Sequence, residues 1–253
     1  MPMQELVTPI NLVEIFSSIQ GEGLFVGCRQ VFVRLAGCNL SCRYCDTRDS
    51  FAVPTAARVE TEAGSRVFES IPNPVAASEL YDAVANLCRT PHHSISLTGG
   101  EPLLQSQAVA ALSPLRSKGV RLYLETNGTL PTALAQVIQQ IDIVSMDFKL
   151  PSELPENQAY WQEHADFLKV ACQREVFVKI VLSGRTSPSE LEQAIALICD
   201  IDPAIPLILQ PVTPVNGVTP VVPEQVLRWQ ELALARLRNV RVIPQTHKLM
   251  GQL

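Results

Sequence analysis

The stretch VFVRLAGCNLSCRYCDT, residues 31–47, joins an apolar, β-branched run to three cysteines, Cys38, Cys42 and Cys45, within eight positions. The run 31–37 reads as a strand, and the thiols sit in the loop that leaves its C-terminal end. Three thiols are too many for one disulfide and one short of a closed tetrahedral metal site. The same kind of strand recurs at SISLTG (94–99), VRLYLET (120–126), IDIVSMDF (141–148), VFVKIVL (176–182), IPLILQPV (205–212) and VRVIPQT (240–246). Helical patterns separate most of them, at 74–88, 105–119, 187–199 and 223–239, with Ser187 and Glu190 spaced as a capping box. Strand–helix alternation predicts an α/β fold around a mostly parallel sheet, closed like a barrel or open. Two segments break the rhythm: 48–73, read as an insertion partly ordered over the site, and 151–168, read as a looser connection.

The chain has 253 residues, enough for one sizeable domain, and 47% of them are apolar, which excludes a disordered protein. The net charge of −5 and a pI of about 5.4 lack the basic footprint of a nucleic-acid binder. The start MPMQELVTPI has neither a basic nor a long apolar region, and no run approaches the roughly 18 apolar residues of a membrane helix. A cytoplasmic protein acting on a small molecule, with no membrane partner, is the expectation. Seven cysteines, an odd number, point the same way; Cys28, Cys88, Cys172 and Cys199 are scattered, and buried packing is expected for each.

Polar clusters fall where each strand ends: TGGEP (98–102), ETNG (125–128), MDFK (146–149), QPVT (210–213) and QTHK (245–248). In parallel α/β folds that edge is where sites are built, so these clusters and the cysteine loop argue for one shared pocket. The thiols admit several chemistries. Zinc would need a fourth ligand from His92, His93, His164 or His247, none at a usual finger spacing. An iron–sulfur cluster also takes thiolates, and three local cysteines would leave one iron of a 4Fe-4S cluster open. S-adenosylmethionine offers an amino and a carboxylate group suited to that open corner, and an electron from the cluster would then cleave its sulfonium bond. Three inert thiols are the bland alternative. Gly99 and Gly100 let backbone approach a ligand closely, and Glu101 can accept from an ammonium; TGGEP at a strand end therefore favours the cluster over zinc.

On these residues the sequence resembles a radical SAM enzyme, and more narrowly the 7-carboxy-7-deazaguanine synthase family of queuosine and 7-deazapurine biosynthesis. The resemblance rests on EIFSSIQGEG (14–23), FVRLAGCNLSCRYCDT (32–47), LTGGEP (97–102), ETNG (125–128), SMDFKLP (145–151), QPVT (210–213) and QTHKLMGQL (245–253). It implies an incomplete (β/α)6 TIM-like barrel, usually a homodimer. One radical SAM domain would span 1–253, with a substrate-binding extension at about 1–30 and the insertion at about 48–73. It implies a lyase that converts 6-carboxy-5,6,7,8-tetrahydropterin to 7-carboxy-7-deazaguanine with loss of ammonia. The reaction would use a 4Fe-4S cluster, S-adenosylmethionine, Mg2+ and an electron donor such as flavodoxin or ferredoxin.

Carried onto this chain, the resemblance gives Cys38, Cys42 and Cys45 to the cluster and Thr47 to magnesium, with a helix N-cap as the structural alternative for Thr47. Tyr44, Asp46, Gly99, Gly100, Glu101, Ser145, Asp147, Lys149, Gln210, Pro211, Val212 and Thr213 would lie around S-adenosylmethionine. Ile19, Gln20, Gly21, Glu22, Arg34, Thr98, Glu125, Asn127, His247 and Leu253 would meet the substrate. Arg34 is a cation in an apolar strand and needs an anion, either the substrate carboxylate or Glu14 or Glu22. Asn127 has turn formation as its alternative, and His247 simple packing. Three departures stand out: the cysteine motif is compact, where some members carry an insert; the chain carries the long stretch after Thr47 in its place; and SMDFK is longer than the SPK of others. Three rival readings remain at this stage: another radical SAM reaction such as glycyl-radical activation, a zinc-stabilised binding module, and a ferredoxin-like electron carrier.

Overall fold

The computed structural model describes residues 9–214 and 217–253. Ten strands form one sheet: β1 (Leu12–Ile19), β2 (Arg29–Leu35), β3 (Ala56–Glu60), β4 (Phe68–Pro72), β5 (Ser94–Gly99), β6 (Arg121–Thr126), β7 (Ile143–Asp147), β8 (Glu175–Leu182), β9 (Leu207–Pro211) and β10 (Val240–Val242). Their order is β10-β9-β8-β7-β6-β5-β2-β1-β3-β4, parallel from β2 through β10, with β1 antiparallel to β2 and β3 antiparallel to β4. β10 and β4 end the order without meeting each other. The result is the incomplete α/β barrel expected.

The helices are α1 (Ala77–Leu87), α2 (Gln107–Leu112), α3 (Pro131–Val137), α4 (Trp161–Ala171), α5 (Pro188–Ile201), α6 (Pro223–Leu234) and α7 (Thr246–Leu249). Each long helix buries one stripe: Leu80, Val84 and Leu87 in α1; Leu191, Ala194, Ile195 and Ile198 in α5; Val226, Trp229 and Ala233 in α6. That spacing keeps the apolar face turned to the sheet. It packs against alternate strand residues such as Ile95, Leu97, Leu122, Leu124, Val178 and Ile180 to form the main core.

The residues between those alternates point to the other face, because strand side chains alternate. There they form two layers. At the N-terminal end of the strands Tyr123, Ile143, Phe177 and Ile208 make a separate apolar cluster, onto which Leu24 and Phe25 of the β1–β2 turn pack. Phe25 lies 5.8 Å from the Tyr123 ring, edge-on, and 6.2 Å from Phe177. Toward the C-terminal end the same positions turn polar: Thr98, Glu125, Ser145, Lys179 and Gln210. The inner face is thus an aromatic floor beneath a polar chamber.

Several elements differ from expectation. The insertion after Thr47 is a β3–β4 hairpin that extends the sheet edge beyond β1, not a cover; of residues 48–73 only Phe51 reaches the chamber. β1 was not foreseen as a strand. The helix read at 105–119 breaks into a 3-10 turn at Ser113–Lys118, where Pro114 removes an amide donor. The connection at 151–168 holds the start of α4. The last strand ends at Val242 rather than 246, since Pro244 cannot continue a ladder and Thr246 opens α7. The Ser187–Glu190 capping box does not form: Ser187 Oγ meets Ser189 Oγ at 2.8 Å, and Glu190 accepts from the Ser152 N–H. The expected extension at 1–30 lies partly outside the described residues, and its described part includes β1.

Candidate active site

A cavity of about 230 Å³ opens at the C-terminal ends of the strands. Nearly every candidate residue lines it, from Ile19, Gln20, Gly21 and Glu22 through the three cysteines to His247 and Leu253. Two do not. Pro211 falls outside the lining, and Glu101 is fully buried behind it.

The cysteine loop is held from below by backbone. The Gly100 N–H donates to the Leu35 carbonyl at 3.1 Å, and the Glu101 N–H to the Gly37 carbonyl at 2.8 Å. A Cβ on Gly99 would press into the Leu35 backbone, and one on Gly100 into the Gly37 backbone, both well inside the 3.0 Å that side-chain carbons respect. The glycine pair is therefore needed first for one loop to lie on the other. From the other side, the Arg43 N–H donates to the Glu153 carbonyl at 2.9 Å, and the Gly37 N–H to the Ser50 carbonyl at 2.7 Å. Cys38, Cys42 and Cys45 are half-buried, form no disulfide and face the same cavity. Burial raises the Cys38 thiol and pushes Cys42 up to about 11. Metal binding would have to displace those protons. Among the described residues no three His, Cys, Asp or Glu side chains converge as ligands of a single ion.

Glu101 was expected to accept from a ligand ammonium. Its carboxylate is instead occupied by the chain: Oε1 accepts from the Leu103 N–H at 3.0 Å and the Thr126 hydroxyl at 2.9 Å, and Oε2 from the Asn127 N–H at 2.8 Å. Burial raises its pKa, against the pull of those donors. It locks the TGGEP loop to ETNG. Asn127 continues the chain: its amide donates to Asn39 Oδ1 at 2.8 Å, while its Oδ1 accepts from the Thr129 N–H and hydroxyl. Its side chain thus serves the turn and the cysteine loop, although it borders the cavity. The Thr47 side chain makes no N-cap bond; its hydroxyl lies 3.8 Å from the Cys45 sulfur.

Lys149 Nζ lies 2.7 Å from Asp147, 3.2 Å from the Tyr44 hydroxyl and 5.1 Å from the centre of the Tyr44 ring. Asp147 is also 3.3 Å from Lys179, which in turn pairs with Glu22. Lys179 went unnoticed in the sequence. The signal was a lone cation in the apolar run VFVKIVL, the same signal that singled out Arg34. Gln245 Nε2 donates to Glu22 at 2.6 Å and to Asp46 at 3.0 Å, and Lys248 reaches Asp46 at 2.8 Å. α7 is thereby clamped to both the β1–β2 turn and the cysteine loop. Asp147 Oδ1 and Gln210 Oε1 are buried with no hydrogen-bond partner among the described residues. Such acceptors are costly unless something fills them.

Burial works to raise Glu22 and Asp147, but Lys179 and Lys149 beside them hold both below their ordinary values of 4.5 and 3.8. A depressed carboxyl stabilises the fold above its ordinary pKa and loses that contribution as pH falls through the folded value. The urea midpoint should therefore drop steeply below about pH 4.5. Glu22→Gln should flatten that drop; an unchanged acid limb would refute the assignment.

Glu125 gathers donors: Gln20 Nε2 at 2.7 Å and Ser96 Oγ at 3.2 Å on one oxygen, Thr98 Oγ1 at 2.9 Å on the other. Arg34 takes the chain's own anion, its Nε donating to Glu14 at 2.9 Å, and still lines the cavity beside the stacked Phe16 and Phe32 rings, 5.2 Å apart. The Leu253 carbonyl accepts from Ser18 Oγ at 3.2 Å, and burial holds His247 below the usual imidazole range.

A partial parallel barrel whose first parallel strand carries a three-cysteine loop into a polar chamber defines a radical SAM enzyme, and residues 33–200 match the sequence profile of the Radical SAM superfamily. The 7-carboxy-7-deazaguanine synthase of Geobacter sulfurreducens is 42% identical over 246 residues, covering 96% of this chain and 98% of that protein. That of Methanothermobacter thermautotrophicus is 33% identical, covering 95% and 96%. The chain belongs to the 7-carboxy-7-deazaguanine synthase family. The crystal structure of QueE from Escherichia coli shares the fold, with a TM-score of 0.61 at 21% identity over 94% of each chain. Among the described residues no helix is long and apolar enough to cross a membrane.

Proposed function

We propose that this chain converts 6-carboxy-5,6,7,8-tetrahydropterin to 7-carboxy-7-deazaguanine with loss of ammonia, as a radical S-adenosylmethionine lyase. The observation that carries the reading is that the three thiols of one loop and the Gln20–Thr98–Glu125 cluster face one cavity. The donor set fits the cofactors: three thiols outside any disulfide, and two buried acceptors, Asp147 Oδ1 and Gln210 Oε1, still to be filled.

When bound, the cluster and S-adenosylmethionine supply the one-electron chemistry that removes a substrate hydrogen. The chain does the rest. Cys38, Cys42 and Cys45 hold the iron. Tyr44, Asp46, Gly99, Gly100, Ser145, Asp147, Lys149, Gln210, Val212 and Thr213 surround the cosubstrate. Glu125 accepts from the N–H groups of an aminopyrimidinone edge, which a carboxylate matches well, and Gln20 and Thr98 orient it. Arg34, already oriented by Glu14, meets the substrate carboxylate as a charge-assisted partner. Ile19, Gly21, Glu22, His247 and Leu253 complete the substrate wall. Thr47 would offer its hydroxyl to magnesium, a hard cation that prefers oxygen donors. A homodimer and a flavodoxin- or ferredoxin-like electron donor belong to the same reading, as do a single domain over 1–253 and a substrate-binding role for 1–30.

The test is anaerobic reconstitution, followed by reductant, S-adenosylmethionine, magnesium and the tetrahydropterin. Ammonia and the deazapurine product are expected in equal amounts. Stoichiometric zinc without labile sulfide, or a bound cluster with no ring-contracted product, would overturn the reading.

A further inference from the structure

The polar contacts around the chamber close into a circuit. Tyr44 meets Lys149, Lys149 meets Asp147, Asp147 meets Lys179, and Lys179 pairs with Glu22. Glu22 then accepts from Gln245, which also donates to Asp46, two positions beyond Tyr44. Lys179 is the hinge of this circuit. It is the cation that touches both a carboxylate at the end of β7 and a carboxylate of the β1–β2 turn, and its side chain is only 12% exposed. Water therefore offers little to replace either partner.

In the function proposed above, on which this inference rests, Asp147 belongs to the cosubstrate side and Glu22 to the substrate side. We propose that Lys179 is a positioning residue that couples the two, so that S-adenosylmethionine and the pterin each tighten the binding of the other. One ammonium shared by two carboxylates makes their demands on it interdependent. S-adenosylmethionine brings positive charge, and Asp147 has an unfilled buried acceptor, Oδ1, to receive a donor. Charge arriving at Asp147 weakens its hold on Lys179 and strengthens the Lys179–Glu22 pair. Glu22 then keeps Gln245, and with it α7, against the chamber wall. A differential interaction of this kind is what a coupling requires.

The test is calorimetric titration of the anaerobic, cluster-loaded but unreduced enzyme, so that no turnover occurs. The Kd of 6-carboxytetrahydropterin is measured without and with saturating S-adenosylmethionine. Wild type should show a ratio between about 5 and 150, the usual range of such couplings, and titration in the reverse order must return the same ratio. Lys179→Met should bring the ratio toward one, and Lys179→Arg should restore part of it. A purely structural lysine would weaken both affinities and leave the ratio intact, which would overturn the proposal, as would a wild-type ratio of one. Should Lys179→Met fail to fold, Glu22→Gln cuts the circuit one link further on, and a wild-type ratio there overturns it equally. An enzyme that forms product with a ratio of one defeats this inference alone, whereas a protein that binds no pterin defeats the function.

Discussion

Cys42→Ala should yield a folded protein that binds little iron and sulfide after reconstitution and forms no measurable product. The thiol is half-buried and its loop is held by backbone bonds that the substitution leaves in place, so apo stability should move by less than about 1 kcal/mol. Activity should fall by much more than the roughly 10- to 100-fold typical of losing an outer-shell partner, because a ligand itself is gone. Cys38→Ala and Cys45→Ala should behave alike, while Cys172→Ala should leave cluster and turnover intact, since that thiol lies exposed rather than in the buried packing expected from the sequence. Full labile sulfide and full turnover in Cys42→Ala would remove the thiol trio from the mechanism. Iron and sulfide analysis beside a melting curve separates cluster loss from unfolding.

Gly100→Ala attacks the same site through packing. The new carbon would press on the Gly37 carbonyl and lie 3.0 Å from the Cys38 Cβ. The cysteine loop must then rise off the TGGEP loop and give up the Glu101 N–H bond to Gly37. Overpacking costs about 1–3 kcal/mol where neighbours can shift; here the neighbour is backbone, so the loss should reach at least the top of that range. Gly119→Ala is the control. Gly119 is left-handed, at φ 83°, and nothing lies within 4 Å of a Cβ there, so only the conformational cost of about 1–2 kcal/mol applies. Equal melting temperatures for the two variants would show that the loops do not need their close approach.

The parallel frame was legible because its strands are short apolar runs separated by helical stripes, and the site because polar clusters mark the strand ends. What escaped notice lies where period-two alternation hides chemistry. Lys179 sits between Val178 and Ile180, both packed on the core, and a run-based reading absorbs it. β1 escaped for the converse reason: Glu14, Ser17 and Ser18 interrupt its apolar residues, because one side of the strand serves the chamber and the hairpin while Leu12 and Ile15 pack into the main core. Glu101 and Asn127 were legible as site residues but not in their direction. Both are turned by partners distant in sequence, Thr126 for one and Asn39 for the other, and no local pattern records which way a carboxylate points out of a turn.

The plug of Phe25, Tyr123 and Phe177 closes the foot of the inner face, so among the described residues the chamber is approached from its rim at the C-terminal strand ends. Reagents in such a blind alley queue: whatever lies deepest must arrive first and depart last. A pterin seated over Glu125 would then have to precede whatever closes the rim, and its product would wait for that rim to clear.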